Sequence, residues 1–141
     1  MKIMKTIVLI SCSSKKLNVI SNAENIYISP LFKLNLKYAK QLNPDYIFIL
    51  SAKYGLLPLK NKVEYYDETL NNMKIFELQN WSHKVLKQLK KKFDLFEDHF
   101  IFLAGGNYRR FLIGNIKNHE IPFKGLGIGQ QLQKLKYLIN E

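Results

Sequence analysis

The sequence predicts an α/β fold: a three-layer α/β/α sandwich around a mostly parallel, four-stranded sheet. Two observations predict it. Short apolar runs rich in β-branched and aromatic residues, at Thr6 to Ser11, Tyr46 to Ser51 and Phe100 to Ala104, read as buried strands. Stretches with apolar residues at helical spacing separate them, and strands alternating with helices imply parallel pairing with right-handed crossovers. At 141 residues the chain is expected to form one domain, residues 1–141.

Each element has its own local signal. After strand one (Thr6 to Ser11), Ser29 is a natural N-cap before Pro30, which opens a helix to about Leu42. Its expected inward stripe is Leu31, Leu34, Tyr38 and Leu42, with Lys33, Lys37 and Lys40 opposite. Asn43-Pro44-Asp45 is the turn into strand two, Tyr46 to Ser51. Ala52 to Asp67 reads as one long loop, of the kind that carries function. A helix from about Met73 to Phe93 follows, with Leu78, Trp81, Val85 and Leu89 inward and Trp81 as a core packer. Strand three is Phe100 to Ala104, then a short helix from about Asn107 to Ile113 and a weak fourth strand near Glu120 to Pro122. Gly125, Gly127 and Gly129 lead into a last helix with Ile128, Leu132, Leu135 and Ile139 inward.

Composition narrows the function classes. Apolar residues make up 47% of the chain and charged ones 23%, which fits a globular protein and not a disordered tail. No apolar run reaches the roughly 18–20 residues of a membrane span. The opening Met1-Lys2-Ile3-Met4-Lys5-Thr6 carries no small-residue cleavage site, so neither a signal peptide nor export is expected and a cytoplasmic location is. The single cysteine excludes an internal disulfide and a thiolate cluster. His83, His99 and His119 have no metal-ligand spacing, so no metal is expected. The net charge is +11, from 22 Lys and Arg against 11 Asp and Glu. Such an excess fits a polyanionic partner, nucleic acid above all, because each phosphate contact releases a counterion. The alternative is lysine as surface filler in a chain also rich in Asn and Ile.

Three strand ends carry small-residue turns with Lys or Tyr, and in open α/β sheets ligands bind at the carboxyl ends of strands. In Ser11-Cys12-Ser13-Ser14-Lys15-Lys16, Ser11 and Ser13 could meet a substrate and the backbone N–H groups a phosphate; Lys15 or Lys16 could hold that phosphate, act as a nucleophile, or be solvated surface. The spacing is not that of a Walker loop. Cys12 reads as a small buried hydrophobe. In Ser51-Ala52-Lys53-Tyr54-Gly55-Leu56-Leu57, Gly55 permits a positive φ, Tyr54 could stack on a base and Lys53 could hold a phosphate. Tyr66 and Asp67 follow on the same loop. Asp67 suits stabilisation of positive charge at an anomeric carbon or orientation of water, and equally an N-cap for Glu68-Thr69-Leu70. In Ala104-Gly105-Gly106-Asn107-Tyr108-Arg109-Arg110 the glycines allow close backbone approach, Tyr108 could stack, and Arg109 and Arg110 either bind phosphate or are surface. Gly125-Leu126-Gly127-Ile128-Gly129-Gln130 matches a dinucleotide fingerprint only in part and lacks the acidic residue downstream, so no cofactor is expected; Gln130 at the helix start remains a candidate to face the site.

The ordered motifs S-C-S-x-K-K, A-x-x-x-Y-x-S-x-x-F, S-A-K-Y-G-L-L, Y-D-x-T-L, L-A-G-x-x-Y and P-x-x-G-L-x-I-G, spread over nearly the whole chain, together resemble a family of small bacterial and phage proteins, a domain of unknown function. The Y-G-L-L segment with its following tyrosine resembles the peroxide-stress DNA-binding family typified by YaaA. The first loop is similar to the lysine-bearing loop of archaeosine synthases, in a domain similar in fold to uracil-DNA glycosylases. Carried over, the resemblance implies a lysine role for Lys15 or Lys16 and loop roles for Ser51, Lys53, Tyr54, Gly55, Asp67, Gly105 and Tyr108. The glycosylase motifs G-x-D-P-Y and H-P-S-P are absent, and Leu17-Asn18 stands where the synthase loop has Pro-Tyr. The resulting expectation is a DNA glycosylase-like protein that recognises or excises a modified nucleobase. A non-enzymatic DNA-binding stress protein and an enzyme acting on a free deazaguanine or nucleotide are the rivals.

Overall fold

Ile7, Val8, Leu9 and Ile10 are fully buried, so the first strand has apolar cover on both of its faces. That strand, β1 (Thr6–Ser11), is the centre of the sheet in a computed structural model that describes residues 3–140. Met1 and Lys2, part of the opening discussed above, lie outside the described residues. β1 pairs in parallel with β3 (Tyr46–Ser51) on one side and β6 (His99–Leu103) on the other. Leu9 stands level with Phe48 and Phe102 across the three strands. The full order is β4-β3-β1-β6-β7, with β7 (Asn118–Glu120) parallel to β6 and β4 (Gly55–Pro58) antiparallel to β3. The fold is therefore mixed α/β on a five-stranded, mostly parallel sheet, not the four-stranded one expected.

The extra strand comes from the segment read as a long loop. Gly55, at φ +74°, turns the chain back so that Leu56 pairs with Leu50 and Gly55 with Ser51. The same segment continues into β5 (Lys62–Val63), which pairs with β2 (Ser21–Asn22) in a small second sheet. A one-turn helix α1 (Ala23–Ile26) follows β2, so the long connection after β1 is structured too.

Helix α2 (Pro30–Gln41) is capped as expected: Ser29 Oγ accepts the Phe32 N–H at 3.2 Å. Its inward face is rotated from the expected stripe. Phe32, Asn35 and Ala39 are buried, and Leu42 is 39% exposed. The helix hands over to β3 at Asn43, left-handed at φ 52°, a conformation Asn tolerates. Asp45 then fixes the crossing by accepting the Thr6 N–H at 2.7 Å. Helix α3 (Ile75–Lys90) buries Leu78, Trp81, Val85 and Leu89 as the periodicity predicts. Phe93, just past its end, packs on Phe48 and Phe100, ring centres 6.0 and 6.1 Å away.

The last third departs in detail. Helix α4 (Gly106–Arg109) is a single turn, followed by a 3-10 turn at Ile113–Asn115 in place of one longer helix. β7 lies just before the position expected for the fourth strand. Helix α5 (Ile128–Leu138) buries Leu135 and packs against α2; Ile139 at its end is buried, but Ile128 is 65% exposed. No helix among the described residues is long and apolar enough to cross a membrane.

Candidate functional site

Because β1, β3 and β6 are parallel neighbours, their carboxyl ends share one rim. A hollow of about 340 Å³ opens there. Its walls include Ser11 at the end of β1, Cys12 and Ser13 after it, Asn35 of α2, Thr69 of the segment before α3, and Tyr108 of α4. The Tyr108 hydroxyl lies 3.3 Å from Cys12 Sγ and closes one side. Asn71 also lines it and accepts a hydrogen bond from Asn107 Nδ2 at 3.1 Å, tying that segment to α4.

Asn35 is the unusual wall. It is 4% exposed, and its Oδ1 receives no hydrogen bond from the protein. A buried amide oxygen without a donor costs free energy of order 1–3 kcal/mol. The residue occupies an inward position of α2, between Phe32 and Ala39, where an apolar side chain would serve the core better.

Behind the hollow runs a buried chain of hydroxyls. Ser51 Oγ accepts the backbone N–H groups of Lys53 at 3.2 Å and Tyr54 at 3.0 Å. Its lone pairs are thus engaged, so its proton goes to Tyr66 Oη at 2.8 Å, and Tyr66 in turn donates to Tyr27 Oη at 2.5 Å. The Ser51 carbonyl accepts the Trp81 indole N–H at 2.8 Å. Burial, and secondarily the negative charge an ionised Cys12 would add, push the phenols of Tyr27, Tyr66 and Tyr108 far above the ordinary tyrosine range. All three are neutral hydroxyls at physiological pH.

The sequence-predicted residues divide into three groups. Ser11, Ser13 and Tyr108 line the hollow. Ser51, Tyr66 and Tyr54 form the layer behind it; the Tyr54 ring meets Tyr66 edge-on at 5.8 Å. Lys16 joins this layer, its ammonium 4.4 Å from the Tyr66 ring centre and donating to the Ser14 carbonyl at 3.2 Å. The others serve the scaffold or stand on the rim. Gly55 is buried against Gln88, whose amide clasps Leu56 N and Tyr54 O, so its role is the turn. Arg109 donates to the Ala104 carbonyl at 2.7 Å. Gln130 folds back to accept the Gly127 N–H, and Gln131 instead lines a smaller hollow of about 150 Å³ with Gly105. Lys15, Lys53 and Arg110 are exposed on the three rim loops.

Asp67 is exposed, does not line the hollow, and accepts the Tyr65 hydroxyl at 2.7 Å. Nor is it the cap: Thr69 caps the 3-10 turn Leu70–Asn72 by accepting the Asn71 N–H. Sequence reasoning missed Asn35, Tyr27, Thr69 and Asn71. Asn35 alone had a local signal, a polar residue three after Phe32 and four before Ala39 on one helix. Among the described residues no three His, Cys, Asp or Glu gather to hold a metal ion.

A model of a family of unknown function, DUF6884, matches residues 7–137, which takes in every loop of the site. The chain belongs to the DUF6884 family. No curated protein and no solved structure matches it. The DUF6884 match begins inside β1 and ends on the last turn of α5, so family and fold cover the same unit.

Proposed function

We propose that this DUF6884 protein is a DNA glycosylase-like protein that recognises a nucleobase drawn out of a nucleic acid. The uracil-DNA-glycosylase-like architecture inferred from the first loop is part of the same reading. The observation that carries it is Asn35: a buried amide with an unmatched acceptor, beside a neutral hollow lined by hydroxyls and by Leu31, Phe32 and Leu132. An amide offers a donor and an acceptor to the edge of a base, which is how Asn reads bases elsewhere. At about 340 Å³ the hollow is at the small end of ligand pockets and suits a base or nucleoside. Lys15, Lys53 and Arg110 on the surrounding loops supply positive charge for the phosphates beside an extruded base.

Recognition is better supported than excision. The residues lining the hollow include no Asp or Glu, and Asp67, the carboxylate favoured for hydrolysis, points to Tyr65 at the surface. The test is incubation with genomic DNAs carrying different base modifications, with mass spectrometry of released bases and a parallel binding assay on oligonucleotides bearing the same bases. Binding that depends on one modified base and is lost in Asn35→Leu is the expected result. Release of that base would extend the reading to excision. Affinity for free bases or nucleotides with no preference for DNA would replace it with the small-molecule reading.

A further inference from the structure

A groove of about 1130 Å³ lies on the rim opposite the hollow, at the amino ends of the strands. Three separate parts of the chain put lysines on it. Lys5 precedes β1, Lys90 ends α3 with Lys91 and Lys92 directly after it, and Lys117 precedes β7. A helix C-terminus attracts cations, which accounts for lysines at the end of α3. It does not account for Lys5 or Lys117, which arrive from other elements. Among the described residues, no ion pair engages any of the five. Lys5 rests on aromatic faces, its ammonium 6.0 Å from the ring centres of Tyr46 and Phe93.

Two carboxylates also line the groove, and the backbone occupies them. Asp98 accepts the N–H groups of Lys5 and Asp94, and Asp94 accepts those of Phe96 and Glu97. Within this cationic frame Phe96 is 69% exposed and forms part of the groove wall. A large aromatic ring held at the surface by a tight Asp94-centred turn has no packing reason to be there.

We infer that this groove binds single-stranded nucleic acid, with the five lysines on the phosphates and a base stacked on Phe96. Positive charge that tracks a backbone, combined with an exposed aromatic platform, is the common design for strand binding without sequence preference. The inference stands apart from the base-recognition reading, because the two surfaces lie at opposite ends of the sheet. One strand could reach both only by crossing the molecule.

The experiment is fluorescence anisotropy with labelled oligothymidylate and with a duplex of equal length, over a salt series. Wild type is expected to prefer the single strand, with log affinity falling linearly in log salt. The variant Lys90→Gln/Lys91→Gln/Lys92→Gln should flatten that slope by about 2, near 0.7 per lost phosphate contact. Phe96→Ala should weaken binding by roughly 5- to 150-fold at every salt concentration and leave the slope unchanged. Asn35→Leu should bind the oligothymidylate as wild type does, which separates this surface from the hollow. Equal affinity for duplex, or binding insensitive to both groove variants, overturns the inference. So does loss of binding in Lys15→Gln/Lys53→Gln/Arg110→Gln with the groove variants intact, which would place the strand on the other rim.

Discussion

Ser51 hands its hydroxyl proton to Tyr66 across 2.8 Å while its oxygen holds the N–H groups of Lys53 and Tyr54. One small side chain thereby fixes the turn after β3, anchors Tyr66, and through Tyr66 reaches Tyr27 on the connection after β1. The turn after β3 and the connection after β1 are thus joined through buried hydroxyls.

Removing the middle of this chain should be costly. Tyr66→Phe removes the hydroxyl that joins Ser51 to Tyr27 in a buried layer. A loss of about 1–3 kcal/mol is expected from urea denaturation. Ser51→Ala should cost a similar amount, and the double variant should cost less than the two together, since both break the same network.

Gly55 cannot take a side chain. Its φ is +74°, and a Cβ there would stand 2.4 Å from Gln88 Oε1. Gly55→Ala should lower stability by about 1–3 kcal/mol. Adding Gln88→Ala should fail to recover it fully, because the backbone strain persists and Leu56 N loses its acceptor.

Asn35→Leu matches the outline of the amide without its polarity. Stability should hold or rise by up to about 1 kcal/mol, since an unmatched buried oxygen is removed. Affinity for the ligand of the hollow should fall tenfold or more. A large drop in stability instead would mean that Asn35 serves the scaffold.

Alkaline pH should unfold the protein through its tyrosines. The phenols of Tyr27, Tyr66 and Tyr108 are held above the ordinary value of 10.0, so the folded state favours the protonated form. Their contribution is fully present below pH 10 and is lost as the pH rises past it, at roughly 1.4 kcal/mol per pH unit for each phenol. Ultraviolet difference spectra should show these three ionising only with unfolding, and Tyr27→Phe should reduce the alkaline loss.

Asp67→Asn should leave stability within about 0.5 kcal/mol of wild type, because the side chain is exposed and caps nothing. Should modified bases be released by the wild type, this variant decides whether the carboxylate takes part. Unchanged release would locate the chemistry elsewhere on the rim.

The strands and the α3 stripe were legible because apolar periodicity is a local signal. Leu78, Trp81, Val85 and Leu89 announce their face within one helix. The fifth strand was hidden because Gly55-Leu56-Leu57-Pro58 is too short to show alternation, and its partner is set by a turn. The face of α2 differs from the expected stripe: Leu42 lies where the helix has already ended, and Asn35 is buried between Phe32 and Ala39 beside the hollow. Site residues on the first and third loops could be read from strand-end turns. Thr69 and Tyr27 could not, since each reaches the site through long-range packing that no spacing encodes.

Trp81 is the only tryptophan in the chain. Its indole meets the Tyr108 ring edge-on at 5.7 Å, and Tyr108 is a wall of the hollow. A fluorophore thus stands one residue away from the hollow. Its emission makes an unlabelled titration possible: any compound that shifts Tyr108 on arrival will announce itself optically, before its identity is known.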